Sequence, residues 1–256
     1  MLQSPSHSPT HKKPVTVSIV SHGQLDLIRP LLEQLDAFSA GAVAKVVLTI
    51  NVTEPDLLAG LRFGFPVERI ENSVAQGFGS NHNQAFRHCE SEWFLVLNPD
   101  IRFDADVLAP LVDQAAADAG LLAPRILEPG KSTPEQHRRI ITPLEILTRR
   151  KPGYPIPAVP DWIPGLFMLF RSSAYAQIKG FDERYFMYGE DFDICARTQL
   201  AGWELQVGED LLARHEAQRA SHASRRHLWW HVSSLLRVWR SGVFWRLRAA
   251  RSRAVR

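Results

Sequence analysis

Three carboxylates lie within four residues of the chain, at Glu190, Asp191 and Asp193, where a helix is predicted to begin. The helix dipole favours acidic side chains in a first turn, so a purely structural role is one interpretation. The same carboxylates repel one another and lie among aromatic residues, and crowding beside apolar surface raises the pKa of a carboxyl group. A raised pKa suits a general base. The cluster therefore predicts either a catalytic base or a charged helix start.

A further acidic residue, Asp100, ends the sequence Asn-Pro-Asp at 98–100, directly after the apolar run at 93–97. Ligands of open parallel sheets gather beyond the carboxyl ends of the strands, and a carboxylate there can bind Mg²⁺ or Mn²⁺. Asp100 could instead form only a turn after the proline. His215 follows another strand-like segment, and histidine is a common metal ligand, although a lone histidine is more often structural. Arg219 stands where an HExxH zinc motif needs its second histidine, which excludes that motif.

The glycine-rich segment GFGSNHN at 77–83 precedes a predicted helix. It does not match GxGxxG, because His82 stands at the third glycine, and it lacks the lysine of a phosphate loop. Its small residues and backbone amides still suit the edge of a nucleotide site at the start of a helix. The segment is therefore a weak nucleotide-binding candidate.

The elements that must position these residues alternate between strands and helices. Strands are predicted at Val15–Val20, Val46–Ile50, Val67–Ile70, Trp93–Leu97, Leu121–Pro124, Trp162–Arg171 and Trp203–Val207. Helices are predicted at Leu25–Phe38, Glu54–Leu61, Asn81–Glu90, Asp104–Asp118, Pro143–Arg150 and Asp191–Ala201. Continuous apolar strands are typical of sheets covered on both faces. The alternation predicts an α/β fold with a mostly parallel, doubly wound sheet, interrupted by a proline-rich excursion at 128–160.

Length and composition favour one large domain. The chain has 256 residues, 45% of them hydrophobic, and its two cysteines form neither a disulfide framework nor a CxxC motif. No apolar run reaches the ~18 residues that a membrane-spanning helix needs. The first 13 residues lack an apolar stretch and are predicted to be a disordered tail rather than a secretory signal. We expect the domain itself to occupy residues 14–224.

The end of the chain is strongly basic. After Glu216 there are ten arginines and no acidic residue, although the formal net charge of the whole chain is only +3. Arginines interleaved with Trp and Leu are typical of a helix lying in a membrane interface. Residues 225–256 are therefore predicted to form a basic amphipathic helix on an anionic membrane surface. Packing on the domain and RNA binding are the alternatives, and we expect no nucleic-acid partner.

Taken together and in this order, the segments resemble family 2 glycosyltransferases, most closely the rhamnosyltransferase-like branch. The resemblance runs from about residue 15 to 221. Its most specific part is GFDERYFMYGEDFDICARTQLAGW at 180–203, followed by VLNPDIRF at 96–103 and by WIPGLFMLFRSSAYAQIKGFDE from 162 onward. The resemblance implies a GT-A fold, a dTDP- or UDP-linked sugar donor, Mg²⁺ or Mn²⁺, and inversion at the anomeric carbon.

The resemblance also implies roles for individual residues. Asp100 and His215 are the implied metal ligands, and Asp191 is the implied catalytic base, with Glu190 beside it. The implied donor-binding positions are Ser21, His22, Asn51, Asn81, Asn83 and Asn98. On the acceptor side we expect Asp193 and Trp162, whose ring could face a sugar or belong to the core.

The chain departs from the family pattern in three places. The family commonly has Tyr-Asn after the first strand, where this chain has His22-Gly23. The acid that family members carry after the second strand is Ile50 here, and Asn98 replaces the first acid of the metal motif. We predict an inverting transferase that moves a sugar, rhamnose by resemblance, onto a glycan or lipid-linked acceptor in cell-surface polysaccharide synthesis. Its expected location is cytoplasmic, peripheral at the inner face of the membrane. The departures keep a non-catalytic scaffold as the alternative. A nucleotidyltransferase is disfavoured, because such an enzyme normally needs a loop rich in Gly and Lys or Arg near the N-terminus, and Arg29 is the only Lys or Arg residue at 21–30.

Overall fold

The structure of the chain is a computed structural model, which describes residues 13–131, 134, 137–149, 151, 153–154, 157, 159–216 and 225–254. Apart from Lys13, the predicted tail at 1–13 lies outside the described residues. The strands are β1 (Val15–Ser21), β2 (Val43–Ile50), β3 (Val67–Glu71), β4 (Trp93–Leu97), β5 (Ile101–Arg102), β6 (Ala119–Leu127), β7 (Phe167–Arg171) and β8 (Glu204–His215). The helices are α1 (Leu25–Ser39), α2 (Phe78–Phe86), α3 (Leu108–Asp113), α4 (Pro143–Thr148), α5 (Ser172–Gln177), α6 (Glu190–Leu200), α7 (Arg225–Arg240) and α8 (Gly242–Ala254).

The strands form one sheet in the order β3-β2-β1-β4-β7-β6-β8-β5. The first four are parallel, as predicted, and every residue of β4 is buried, which explains its uninterrupted apolar sequence. β7 runs antiparallel to both β4 and β6. The long connection after β6 stays at the end of the sheet where β6 finishes, so β7 starts there and runs back in the opposite direction. The α/β class is therefore confirmed, with a sheet that is mixed in its second half.

Several predicted helices differ in the structure. No helix forms at 54–61, where Pro55 is followed by a turn in which the Asp56 carboxylate accepts the Leu58 amide at 3.0 Å. The helix predicted at 104–118 is only α3, because the Asp106 carboxylate accepts the Leu108 amide and thereby fixes a later start. A short helix that the sequence did not reveal, α5, follows β7 directly.

The remaining boundaries follow local chain chemistry. The strand predicted from Trp162 begins only at Phe167, because Pro164 and Gly165 precede it. The predicted C-terminal helix consists of two helices, separated at Ser241, whose hydroxyl accepts the Phe244 amide at 3.1 Å and so caps α8. No described helix is long and apolar enough to cross a membrane.

Both C-terminal helices pack on the domain. This arrangement is one of the alternatives to a basic helix lying on a membrane surface. The Phe244 ring lies 5.9 Å from that of Phe192 in α6, and the Trp239 indole donates to the Ile141 carbonyl at 2.7 Å. Arg251 of α8 forms a 2.9 Å ion pair with Asp161. The helices are thus part of the folded unit, with their remaining faces turned to solvent.

Candidate active site

A cavity of about 670 Å³ opens where β1, β2 and β4 end and α6 begins. Parallel strands present their carboxyl ends at one edge of a sheet, so residues distant in sequence meet there. The predicted site residues that line the cavity are His22, Asn51, Asn81, Asn98, Asp100, Glu190, Asp191 and His215. The cavity therefore unites the two acidic motifs that the sequence singled out.

Asp100 and His215 are brought together by strand pairing. Ile101 of β5 stands opposite His215 of β8 in antiparallel register, and the Glu216 amide donates to the Asp100 carbonyl at 2.8 Å. The His215 Nε2 atom lies 3.1 Å from the Asp100 Oδ2 atom. The buried Arg102 side chain, which forms a 3.0 Å ion pair with Glu216, fixes the same short ladder.

The Asp100–His215 pair has the donor atoms that a divalent cation needs. With His215 Nε2–H donating to Asp100, two buried atoms, Asp100 Oδ1 and His215 Nδ1, have no partner among the described residues. No group of three potential ligand side chains occurs in the described part of the chain. Since Mg²⁺ and Mn²⁺ sites commonly combine one or two protein ligands with substrate phosphates and water, the pair fits such an ion bound together with a diphosphate.

Asp191 lies at the first turn of α6, facing the cavity. Its Oδ1 atom accepts the Phe192 amide at 2.8 Å, and its Oδ2 atom accepts the Gly165 amide at 3.4 Å. Burial raises the pKa of Asp191, although these amides oppose the shift. The geometry thus holds a carboxylate whose basicity is increased, which is what a general base requires.

Glu190 is buried beside Asp191, and its Oε2 atom has no partner within the described residues. Burial raises the pKa of Glu190 well above its ordinary range, and the charge of Asp191 raises it further. Two adjacent buried carboxyl groups do not readily ionise together. The amides that Asp191 accepts favour it as the charged member of the pair.

Amide side chains form a network where β2 and β3 end and α2 begins. The Asn51 Oδ1 atom accepts the Gln76 amide at 2.8 Å and the Asn72 side chain at 2.9 Å. Asn72 also donates to Asn81 at 2.7 Å, and Asn51 donates to His22 at 3.2 Å. Asn51 and Asn81 thus shape the loop that closes this side of the cavity, while Asn98 lines it directly.

Two residues predicted to bind the donor do not line the cavity. Ser21 is buried, and its hydroxyl accepts the Gln24 amide at 3.0 Å at the start of α1. The Asn83 side chain donates to Glu183 and to the Phe181 carbonyl, and its Oδ1 atom accepts from Tyr175 and the Phe181 amide. These contacts tie both side chains to the framework, and a direct contact of either with the donor stays a prediction.

The two residues expected on the acceptor side are also structural. Trp162 is buried against Phe192, and its indole donates to the Arg139 carbonyl at 2.7 Å. The Asp193 carboxylate is buried and accepts from Arg197 at 2.7 Å. Neither residue lines the cavity. Side-chain direction explains the error for Asp193, because neighbouring positions of one helical turn face different ways.

The structure adds cavity residues that sequence reasoning did not assign, namely Phe78, His82, Phe186, Met187, Tyr188 and Trp230. Burial lowers the pKa of His82 to about 3, so its ring is neutral, and its Nδ1 atom lies 2.7 Å from the Ser18 hydroxyl. The aromatic composition of 181–192 signalled some of these residues. Trp230 carried no such signal, because it belongs to α7.

The loop at 185–189, directly before Glu190, is contacted by α7 along its whole length. Arg237 lies over the Tyr185 ring, Trp230 lies 5.0 Å from Phe186, and the Ser234 hydroxyl donates to the Met187 carbonyl at 2.9 Å. His231 stacks on Tyr188 at 3.5 Å between ring centroids. A Cβ atom added to Gly189 would meet Val238 at 3.1 Å. α7 therefore holds in place the loop that directly precedes Glu190 and Asp191.

The glycine-rich segment at 77–83 packs against the loop at 185–189. A Cβ atom at Gly77 would lie 2.8 Å from the Phe186 carbonyl oxygen, which accepts the Phe78 amide at 3.0 Å. Only glycine permits this approach. The segment therefore joins the start of α2 to the loop before the carboxylates.

Sequence comparison identifies the family. Residues 54–176 match the family described as "Glycosyl transferase family 2", and residues 150–223 match one described as "N-terminal domain of galactosyltransferase". Rhamnosyltransferase WbbL of Escherichia coli K12 is 30% identical over 247 residues, which cover 87% of this chain and 91% of that protein. The chain belongs to glycosyl transferase family 2. The prediction of a glycosyltransferase is thereby confirmed.

Other proteins resemble this family 2 glycosyltransferase less closely in sequence. The N-acetylglucosaminyl-diphospho-decaprenol L-rhamnosyltransferase of Mycobacterium tuberculosis is 29% identical over 220 residues, which cover 75% of this chain and 70% of that protein. The mannosyltransferase PcManGT from Pyrobaculum calidifontis, solved with GDP-Man and Mn²⁺, has a TM-score of 0.62 and 16% identity over 86% of this chain and 61% of that one.

A second solved structure agrees. S. aureus TarS 1-349 in complex with UDP has a TM-score of 0.59 and 16% identity over 78% of this chain. The family 2 chain spans about three fifths of each of these two solved chains. At such identities the likeness shows the fold alone, and it confirms the predicted GT-A fold.

Proposed function

We propose that this glycosyltransferase moves a sugar from a nucleoside diphosphate donor to a hydroxyl of a lipid-linked saccharide, with inversion at the anomeric carbon. One observation carries the proposal: the Asp100–His215 pair and the Asp191 carboxylate line the same cavity. The names of the two rhamnosyltransferases that resemble the chain support rhamnose as the sugar, and one of those names supports a diphospho-lipid acceptor.

Asp100 and His215, whose side chains face each other at 3.1 Å, would hold Mg²⁺ or Mn²⁺ in place of the hydrogen bond that joins them here. A divalent ion bound there with the donor would offset the charge that develops on the departing diphosphate. Asn98 would contribute its neutral amide to the same end of the cavity, in place of the family's acid. The amide network around Asn51 would hold the adjoining loop in place.

Asp191 would act as the base on the acceptor side. Its carboxylate would accept the proton of the acceptor hydroxyl while that oxygen bonds to the anomeric carbon and the bond from this carbon to the diphosphate breaks. The amides of Phe192 and Gly165 fix its orientation. The raised pKa of Glu190 would favour Asp191 as the charged carboxylate of the pair. Alignment of both substrates in one cavity would remove much of the entropic barrier.

The solvent-facing sides of α7 and α8 support a peripheral location at an anionic membrane. Trp229 is 68% exposed and Trp245 is 54% exposed, and Val232 and Leu236 are exposed on the same helix as Trp229. Arginines accompany these apolar side chains, and the segment has no acidic residue. Exposed tryptophans combined with arginines favour the headgroup region of a bilayer. Packing on the domain and contact with a membrane would thus use different faces of the same helices.

The test is a panel of donors measured by thermal shift and by transfer. We expect dTDP-rhamnose with Mn²⁺ to raise the melting temperature, because a ligand of the native state stabilises it, and UDP- and GDP-sugars to raise it less. With a short-chain N-acetylglucosaminyl-diphospho-lipid, the same donor should give a glycosylated lipid of inverted configuration. A product of retained configuration, or equal activity in excess EDTA, would contradict the proposed mechanism.

A further inference from the structure

One wall of the cavity is aromatic and has no role in the chemistry described so far. It consists of Phe186 and Tyr188 from the loop at 185–189 and Trp230 from α7, and these three residues are called the aromatic wall. The Phe186 and Trp230 rings lie 5.0 Å apart with planes inclined by 33°. Phe186 and Tyr188 directly precede Glu190 and Asp191 in the chain, so the wall adjoins the carboxylates.

The aromatic wall is held in place by contacts behind it. Tyr188 has a left-handed backbone conformation, with φ of 70°, which is unfavourable for a residue with a side chain. The His231 ring stacks on it at 3.5 Å, and Ser234 holds the preceding carbonyl. A strained conformation persists only where its surroundings determine it. The wall is therefore a built surface of the cavity.

The chemistry of the wall differs from that of the other end. A nucleoside diphosphate needs polar contacts and a cation to offset its charge, and the amide, carboxylate and imidazole groups that could supply or hold them lie around Asp100, His215 and Asn51. Aromatic rings instead offer flat apolar faces with polar edges, which match the C–H face of a sugar ring and the first carbons of a lipid. A polar metabolite without an apolar face would gain little from such a wall.

We propose that the aromatic wall is the acceptor subsite, where it binds the saccharide ring of an amphiphilic acceptor next to Asp191. This inference rests on the proposed function and deepens it by assigning the acceptor side to Trp230, in place of Trp162. Trp230 and Phe186 bind the ring, and Tyr188 closes the wall towards Glu190.

The adjacent tryptophans supply a matched pair of variants. Trp230→Ala should raise the acceptor KM about tenfold, since the loss of one aromatic contact costs roughly that factor, while the donor KM changes less than about twofold. Trp230→Phe should restore most of the acceptor affinity. Trp229→Ala should keep the KM for a detergent-solubilised acceptor within about twofold, because an exposed side chain is removed, and should weaken sedimentation with phosphatidylglycerol vesicles.

The assay uses the full chain, the short-chain N-acetylglucosaminyl-diphospho-lipid in detergent, and a melting curve for each variant. Unchanged acceptor KM in a folded Trp230→Ala variant would overturn the acceptor subsite. Equal rises of donor and acceptor KM would also overturn it, because they would indicate a purely structural role. If Trp230→Ala does not fold, the acceptor KM of Trp230→Phe and Trp230→Leu decides, with Leu expected to bind worse. Absence of transfer by the wild type would refute the proposed function itself.

Discussion

The two ends of the cavity are held by different kinds of contact. At one end, backbone pairing between β5 and β8 places Asp100 beside His215. At the other, Glu190 and Asp191 follow a loop whose five residues are each contacted by side chains of α7. Those contacts come from a helix that begins more than thirty residues after Asp191.

The difference indicates which end of the cavity should keep its geometry when neighbouring residues are substituted. Backbone hydrogen bonds do not depend on the identity of the neighbouring side chains, so the Asp100–His215 end should tolerate substitutions around it, apart from those of Arg102 and Glu216. The carboxylate end depends on packing between a strained loop and a separate helix, so it should respond to changes far from the carboxylates. The comparison can be broken or sharpened by four measurements, from the largest expected effect to the smallest.

The largest effect is expected at the carboxylate itself. Asp191→Asn should lower kcat about 10³-fold, because an amide cannot accept the acceptor proton. The thermal shift caused by donor and Mn²⁺ should persist. Asp193→Asn is the control from the same helical turn, since the Asp193 carboxylate bonds to Arg197 outside the cavity. This variant should lower the melting temperature and leave kcat nearly unchanged. Equal losses of kcat in both variants would remove Asp191 from the mechanism.

At the Asp100–His215 end, His215→Ala should lower kcat about 10²-fold and weaken the Mn²⁺ dependence of donor binding. Calorimetric titration of the donor with and without Mn²⁺ measures that dependence. His137→Ala is a suitable control, because His137 bonds to Glu209 and to the Pro157 carbonyl away from the cavity. If His215→Ala keeps the full response to Mn²⁺, the assignment of the metal ligands is wrong.

A pair of glycine variants isolates the contact between α7 and the loop. Gly189 and Gly202 both have positive φ, at 82° and 93°, so alanine is strained at either position. Only at Gly189 does the added Cβ meet another group, Val238 at 3.1 Å, whereas nothing lies within 4 Å at Gly202. Gly189→Ala should therefore lower the free energy of unfolding by about 1 kcal/mol more than Gly202→Ala, and it alone should also reduce transfer. Identical urea unfolding curves would show that α7 does not constrain the loop.

The smallest effect concerns the pH dependence of stability. Because the pKa of Glu190 is raised by burial and by Asp191, the folded protein keeps a proton that the unfolded chain releases above about pH 4.3. This carboxyl group therefore lowers the free energy of unfolding as pH increases. Glu190→Gln should match the wild type near pH 4 and be more stable by about 1 kcal/mol at pH 8. A stability difference that is constant between these pH values would contradict the buried, protonated state of Glu190.

The sequence revealed the parts of the fold and site that depend on local pattern. β4 was predicted with its observed boundaries, because a buried central strand has an uninterrupted apolar sequence. Asp100, Asp191 and His215 were singled out by their places near strand ends or at a helix start, and all three line one cavity, while the roles that the family resemblance implies for them stay predictions. By contrast, the roles of Asn83 and Trp162 depend on partners distant in sequence, such as Phe181 and Arg139. Such contacts leave no periodic signal.

The same reasoning explains why the packing of α7 remained open. A helix with arginines and tryptophans is compatible with a membrane, with RNA or with the domain, and composition does not distinguish these. The contacts of Ser234 and Trp239 with the domain settle the packing of one face. Contact of the other face with a membrane stays a prediction.

β5 is only two residues long and lies at the edge of the sheet. Side chains alternate between the two faces of a strand, so a single residue inserted between Asp100 and Ile101 would turn Asp100 away from His215 even with every residue type retained. The direct junction of Asp100 to β5 is therefore as strict a requirement for the pair as the acid itself. Among related chains, an insertion there would mark loss of the Asp100–His215 pair more reliably than the replacement of Asn98.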